Sequence, residues 1–343
     1  MIKKYLAITS ALIVGITIST AVVASNAKHF KDRTVTIVIP YGPGGTYDKY
    51  GASFSNHLGK HIPGKPTVIL QHMPGAGGSK AQAYMYNVAP AKGFHMFVPL
   101  DNVVVNQLLR PKRMRYKADK FHYLGSSNQT NVIMVVRADT GIKKIQDMKN
   151  IAVIGATSGT GSSGYLTPMV AWGLLNLKGR MITGYKGSSR SILAVEQGES
   201  QMAAFNWLAW SSKVPHWFKG KKPFARAILQ TGFFKDPDLP DVPMLIDLVA
   251  KKDRPLVGFL ASAGPIGRGL AYPPGVKSAT VETVRTAYNK MNADPKFAAE
   301  LKKRKLRLIP STGKKIQEIV NTALKESSPA VIARVKKLVF PKK

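Results

Sequence analysis

Three glycine-rich stretches are where this chain could do chemistry. They are Tyr41-Gly-Pro-Gly-Gly-Thr-Tyr-Asp48, Met73-Pro-Gly-Ala-Gly-Gly78 and Thr157-Ser-Gly-Thr-Gly-Ser-Ser-Gly164. Each lies between a run of β-branched residues and a stretch of helical character. The first turn of a helix leaves backbone N–H groups without intrahelical partners, and the macrodipole adds partial positive charge there. Glycine leaves those donors uncovered and lets a ligand approach closely. A carboxylate placed at such a point collects several charge-assisted hydrogen bonds. Any one of these loops is equally an ordinary tight turn between strand and helix. Three in one chain point to a shared role in holding an anion.

Other chemistries find little support. Gly159-Thr-Gly-Ser-Ser-Gly164 has the form of a dinucleotide fingerprint, which needs an acidic residue about 20 positions further on for the ribose. The segment Gly179-Arg-Met-Ile-Thr-Gly-Tyr185 offers none before Glu196. His57 and His61 stand four apart, but the segment between them carries a glycine and lacks the glutamate of a zinc-protease helix. They read as partly exposed helix residues. No nucleophile elbow or P-loop lysine motif occurs, and the 18 acidic residues form no close pair for acid–base work. The reading is a protein without catalysis, cofactor or metal. Trp207 and Trp210 follow a predicted strand and read as core, or as a wall for an aromatic or aliphatic ligand.

The elements that must position these loops alternate. Thr34–Ile39 reads as a buried strand, followed by a loop and a helix over Thr46–Leu58. Strand Thr67–Gln71, loop Met73–Gly78 and helix Ser79–Asn87 repeat the pattern, and a third strand covers Phe94–Leu100. Near-continuous apolar strands alternating with helices indicate βαβ units and parallel pairing. The grammar resumes with strands Asn131–Val136 and Ile151–Gly155, a helix ending near Leu177, strand Met181–Thr183, helix Ser189–Gln197 and strand Ser200–Phe205. Leu256–Ala263 reads as extended and able to return the chain to the first unit. Helices are expected at Val281–Ala293, Pro295–Arg304, Lys314–Lys325 and Pro329–Leu338. The expected organisation is two α/β lobes, residues 28–130 plus 259–343 and residues 131–258, with a cleft between them at the carboxyl ends of the strands.

Composition sets the setting. Lys3 and Lys4, the apolar run Leu6–Val23 and small residues beyond it have the three-part shape of a secretory signal peptide over residues 1–27, with cleavage after Ala24 or Ala27. A membrane anchor is the alternative. With no cysteine in 343 residues, a lipid anchor, disulfides and thiolate metal sites are all excluded. The remainder exceeds what one hydrophobic core usually serves. The net charge of +33 fits an anionic ligand or simply a basic solvated surface. The basic residues are scattered and not interleaved with aromatics, which argues against nucleic acid.

At these loops the sequence resembles the Bug-type extracytoplasmic solute receptors of tripartite tricarboxylate transporters. The resemblance rests on Pro40-Tyr-Gly-Pro-Gly-Gly-Thr-Tyr-Asp48, Met73-Pro-Gly-Ala-Gly-Gly78, Gly184-Tyr-Lys-Gly187, Glu196-Gln-Gly-Glu199, Leu239-Pro-Asp-Val-Pro243 and Pro273-Pro-Gly-Val276, in the family's order. It implies a two-lobed, Venus-flytrap periplasmic binding fold, type II-like, each lobe a mainly parallel sheet flanked by helices. It further implies a monomeric periplasmic receptor that closes on a small carboxylate, whether di- or tricarboxylate or aromatic acid, and delivers it to membrane permease subunits. A ligand-sensing co-receptor or a periplasmic enzyme using the serine-rich loop are the alternatives. Carried over by motif, the ligand-binding residues are Tyr41, Gly44, Gly45, Thr46, Asp48, Ala76, Gly77 and Gly78, with Thr157, Ser158, Thr160, Ser162 and Tyr185 from the second lobe. Where many members place an aspartate that could meet a ligand amine, this chain has Asn206, which favours a plain carboxylate.

Overall fold

β1 (Thr34–Ile39) is a run of Thr, Val and Ile, side chains that fit a pleated, covered surface. It pairs in parallel with β2 (Thr67–His72) on one side and with β3 (His95–Phe97) on the other. Helix α1 (Thr46–His61) joins the first two strands and buries Tyr47, Tyr50, Phe54 and Leu58, three or four residues apart, on one face. Gly51 lets that face close on the sheet, since a Cβ there would lie 2.5 Å from Ile39 Cδ1. Helix α2 (Ser79–Asn87) leads from β2 to β3, and α3 (Val103–Leu109) follows. The structure, a computed structural model, describes residues 27–129 and 131–341. The signal-peptide expectation therefore falls almost wholly outside the described residues.

The first sheet is completed by β4 (His122–Ser126), β10 (Gly269–Tyr272) and the two-residue β11 (Ser311–Thr312), in the order β11-β4-β10-β3-β1-β2. The second sheet runs β7-β6-β8-β5-β9, from β5 (Val132–Arg137), β6 (Val153–Ala156), β7 (Gly179–Ile182), β8 (Met202–Asn206) and β9 (Ala225–Thr231). Leaving aside edge strand β11, both sheets share one plan. Four strands run in one direction, and the strand that has just crossed from the other lobe, β10 or β5, runs against its two neighbours. The sheets are thus mixed, with parallel βαβ pairing confined to β2-β1-β3 and β7-β6-β8.

In the second lobe α4 (Ser163–Leu175) follows β6, α5 (Ser188–Glu196) follows β7, and the short α6 (Trp207–Ser211) follows β8. Trp207 and Trp210 are buried in a core cluster with Ile133, Ile192 and Trp217. One expectation fails. Leu256–Ala263 is not extended: residues Arg254–Ala261 form helix α7, with Leu256, Val257, Phe259 and Leu260 buried on one face. An apolar run of this length fits a buried helix as well as a strand, and tertiary packing decides.

The chain crosses between lobes after β4 and again at residues 262–268, and the two segments run side by side at Ser127 and Asn128. Ser127 N–H donates to Arg268 O and Arg268 N–H to Asn128 O. Gly267 is required there, because a Cβ would lie 1.6 Å from Asn128 O. Helices α8 (Ser278–Ala293), α9 (Pro295–Lys303) and α10 (Gly313–Glu326) add Val284, Tyr288, Phe297, Leu301 and Val320 to the first core. The final helix, α11 (Pro329–Val339), places Val335 and Val339 against Leu166 and Val170 of α4, Phe259 and Leu260 of α7, and Val105 and Leu109 of α3. It bridges both lobes. No helix among the described residues is long and apolar enough to cross a membrane.

Candidate functional site

A cavity of about 40 Å³ lies between the lobes, beside the crossing segments. A water needs on the order of 10–15 Å³ by this measure, so the closed cavity holds about three waters or the head group of a small acid. Three helices begin at its wall. α1 starts after Gly45 in the first lobe, and α4 and α5 start after Ser162 and Gly187 in the second. None has a side-chain cap, which leaves N–H groups at the helix starts without a side-chain partner. Gly45, Thr46, Ser162, Ser163, Gly187 and Ser188 all line the cavity. Three positive helix ends from two lobes therefore converge on one small space.

The predicted site residues divide. Tyr41, Gly45, Thr46, Ser158, Ser162 and Asn206 line this cavity. Ala76, Gly77, Gly78 and Tyr185 line a second cavity of about 210 Å³, separated from the first by Tyr41 and Ser158. Tyr41 forms the partition: its hydroxyl donates to Gly77 O at 2.9 Å, and burial raises its pKa so that it stays a donor. Gly44 lines a groove of about 450 Å³ with Lys186, Ser189 and Arg190. Asp48 does not face the cavity. Its carboxylate accepts from Gly44 N–H at 2.8 Å and from His72 Nε2 at 2.7 Å, which ties the first loop to β2. Thr157 and Thr160 are structural as well. Thr157 Oγ1 pairs with Ser162 Oγ at 2.8 Å, and Thr160 Oγ1 accepts from Arg110 Nη1 at 2.9 Å.

The lobes are closed on each other. Gly42 N–H donates to Lys186 O at 2.8 Å. Asn102 and Asn106 both donate side-chain N–H groups to Gly161 O, at 2.8 and 2.7 Å. At the cavity itself Asn206 Nδ2 donates to Thr46 Oγ1 at 3.1 Å, while Asn206 Oδ1 caps α6 by accepting from Ala209 N–H. Asn206 is therefore fixed at both ends of its amide, one of them across the cleft.

The two charged lining residues, Asp101 and Arg268, escaped the sequence reading. Arg268 lies on the second crossing segment and is 3% exposed. Its guanidinium carbon stands 3.8 Å from the centre of the Tyr47 ring. Burial alone would lower its pKa, but Tyr47 and Asp101 more than offset this and hold it above the ordinary arginine value. Asp101 Oδ1 accepts from Ser163 Oγ at 2.7 Å and from Asn102 N–H at 2.8 Å. The one sequence signal for Arg268 is a lone charge between two glycines at the head of the apolar run Leu270–Tyr272.

A two-lobed α/β fold with two crossing segments and a cavity at helix N-termini between the lobes defines a solute-binding receptor of the periplasmic binding class. The model of the tripartite tricarboxylate transporter family receptor, TctC, matches residues 54–335, and the chain belongs to that family. Family members are solute-binding receptors, not enzymes. Among curated proteins, the UPF0065 protein in the tcbD-tcbE intergenic region of Pseudomonas sp. (strain P51) is 23% identical over 286 residues, covering 81% of this chain and 80% of that one. Among solved structures, the periplasmic binding protein BugD has a TM-score of 0.70 at 18% identity, covering 90% of this chain and 98% of its own. MatC from Rhodopseudomonas palustris, with bound malate, has a TM-score of 0.68 at 19% identity, covering 90% and 99%. At such identities the likeness carries the fold.

Proposed function

We propose that this receptor captures a small carboxylate in the periplasm by lobe closure and delivers it to the membrane permease of a tripartite tricarboxylate-type transporter. The observation that carries the reading is the meeting of three uncapped helix N-termini, from both lobes, at one buried cavity. Free N–H groups and helix dipoles favour an anion, and a carboxylate has two acceptor oxygens to share among them. Family membership supports a transported acid, and malate bound in MatC shows the chemistry a relative of this fold accepts. The expected boundary at 258/259 cuts helix α7, so the closing bodies join instead at the two crossing segments, with Arg254–Ala261 kept whole in the second body. They hinge on those segments, and the final helix packs on both bodies. A ligand stabilises the closed state only by its extra interactions there, which are those contributed by the lobe it did not first meet.

A thermal-shift screen tests this. A panel of malate, adipate, succinate, citrate and benzoate should contain at least one acid that raises the melting point, because a ligand bound only to the native state stabilises it. No shift from any of them at millimolar concentration would overturn the carboxylate reading.

A further inference from the structure

We infer that Arg268 is the residue that grips the ligand's carboxylate, with Asp101 as its positioning partner. The inference rests on the carboxylate reading above and deepens it. Arg268 and Arg307 both have carboxylate neighbours at the lobe junction, and their geometries differ. Arg307 meets Asp236 through two parallel hydrogen bonds, Nη1 to Oδ2 and Nη2 to Oδ1, both 2.9 Å. That is the satisfied bidentate arrangement.

Arg268 has nothing comparable. Among the described residues, the guanidinium's sole short bond is Nη1 to Gly267 O at 2.9 Å. Its contact with Asp101 is a single one at 3.4 Å. The Nε–Nη2 edge, the one that presents two parallel donors, faces one neutral oxygen, Thr46 Oγ1, at 3.4 Å from both nitrogens. A guanidinium buried to 3% exposure with its fork so thinly occupied is costly unless a better acceptor arrives. A carboxylate supplies two charged oxygens to that edge at about 2.8 Å.

Arg268 and Thr46 both line the cavity, so the edge is reached from it once the lobes part. The arginine is also held in place. Its backbone is bonded in both directions to the other crossing segment, Tyr47 stacks on its face, and Asp101 is itself fixed by Ser163 Oγ and Asn102 N–H. The charge therefore sits at the pivot of closure, where it is present in the open and the closed receptor alike. Helix N-termini from the second lobe add their donors only on closure. The ligand class this selects is a short acid with a free carboxylate. Esters and amides of the same acid, with no anionic fork partner, should be rejected.

The test uses the full-length mature receptor and the panel acid giving the largest thermal shift. Arg268→Lys keeps the charge and loses the fork; Arg268→Gln combined with Asp101→Asn removes both charges and leaves no unpaired carboxylate. Calorimetry should show affinity reduced about tenfold in the first and about 100-fold or more in the second, the range expected for charged hydrogen bonds. Melting points without ligand should stay close to that of the parent. The primary amide of the same acid should bind the parent at least about 100-fold more weakly than the acid does. Parent-like affinity in the double variant overturns the proposal and leaves the carboxylate reading intact. Should the double variant fail to fold, phenylglyoxal labelling of the parent decides: the acid should protect Arg268, and unslowed labelling at saturating acid overturns the proposal. A parent that binds no acid on the panel overturns both.

Discussion

Gly77 and Gly159 touch across the cleft, backbone to backbone: a Cβ on Gly159 would lie 2.7 Å from Gly77 N. One belongs to the loop before α2 and the other to the loop before α4, so two of the glycine-rich loops seal against each other. Gly159→Ala should wedge the lobes apart while leaving both cores untouched. The expected result is a larger radius of gyration by small-angle scattering with ligand present, and affinity lower by about tenfold or more, the cost of about 1.4 kcal/mol against closure. An unchanged radius and affinity would show that the seal is not part of the bound state.

Thr46→Ala should weaken binding and spare the fold. The hydroxyl accepts the cross-cleft bond from Asn206 but caps nothing in its own helix. A net loss near 1 kcal/mol, about fivefold in affinity, is expected by calorimetry, with a melting point near that of the parent. An equal drop in melting point and affinity would assign Thr46 to the fold alone.

Arg307→Ala should destabilise the protein itself. Asp236 is 3% exposed; Arg307 donates to both of its oxygens, and Asp238 N–H also donates to Oδ1. Removing one partner of a buried pair leaves an uncompensated charge, at a cost of about 3 kcal/mol. Arg307→Ala with Asp236→Asn should recover most of it. Chemical denaturation of both variants measures the difference, and a double variant no better than the single one would contradict the pairing argument.

Acid should destabilise the protein partly through Glu300. Burial alone would raise its carboxyl pKa, but hydrogen bonds from His57, Ser53 and Asn56, with Arg304 nearby, hold it below its ordinary 4.5. A folded-state pKa below the unfolded value means the unfolded chain binds more protons. The contribution is therefore complete above about pH 4.5 and is lost as pH falls through the folded value. Urea unfolding of Glu300→Gln should show a shallower decline below that pH than the parent. Identical slopes would place the acid sensitivity elsewhere.

Much of this molecule was legible in its sequence because the relevant physics is local. The β-branched run of β1 and its glycine loop led to a strand and helix within a few residues of those observed, and helix Ser79–Asn87 was matched at both ends. The misses include strands β4, β9 and β10 and helix α3, and two of these strands carry little signal of their own. β10 is four residues beginning on Gly269, and β4 ends in Gly125 and Ser126, so neither shows a strand's alternation strongly. Residues 254–261 are apolar enough for either state and became a helix only because α11 and α4 offered a surface to pack against.

What the chain's order of residues determined was the kind of site: glycine-bared N–H groups at helix starts, a chemistry set by the first turn alone. Tertiary structure decided which starts share a cavity. It placed Gly45, Ser162 and Ser188 around one space, sent Asp48 and Thr160 elsewhere, and brought in Arg268, which lies more than two hundred residues from Thr46. A charge beside a hinge carries no periodicity of its own, and only the crossing of two segments turns it toward the cleft.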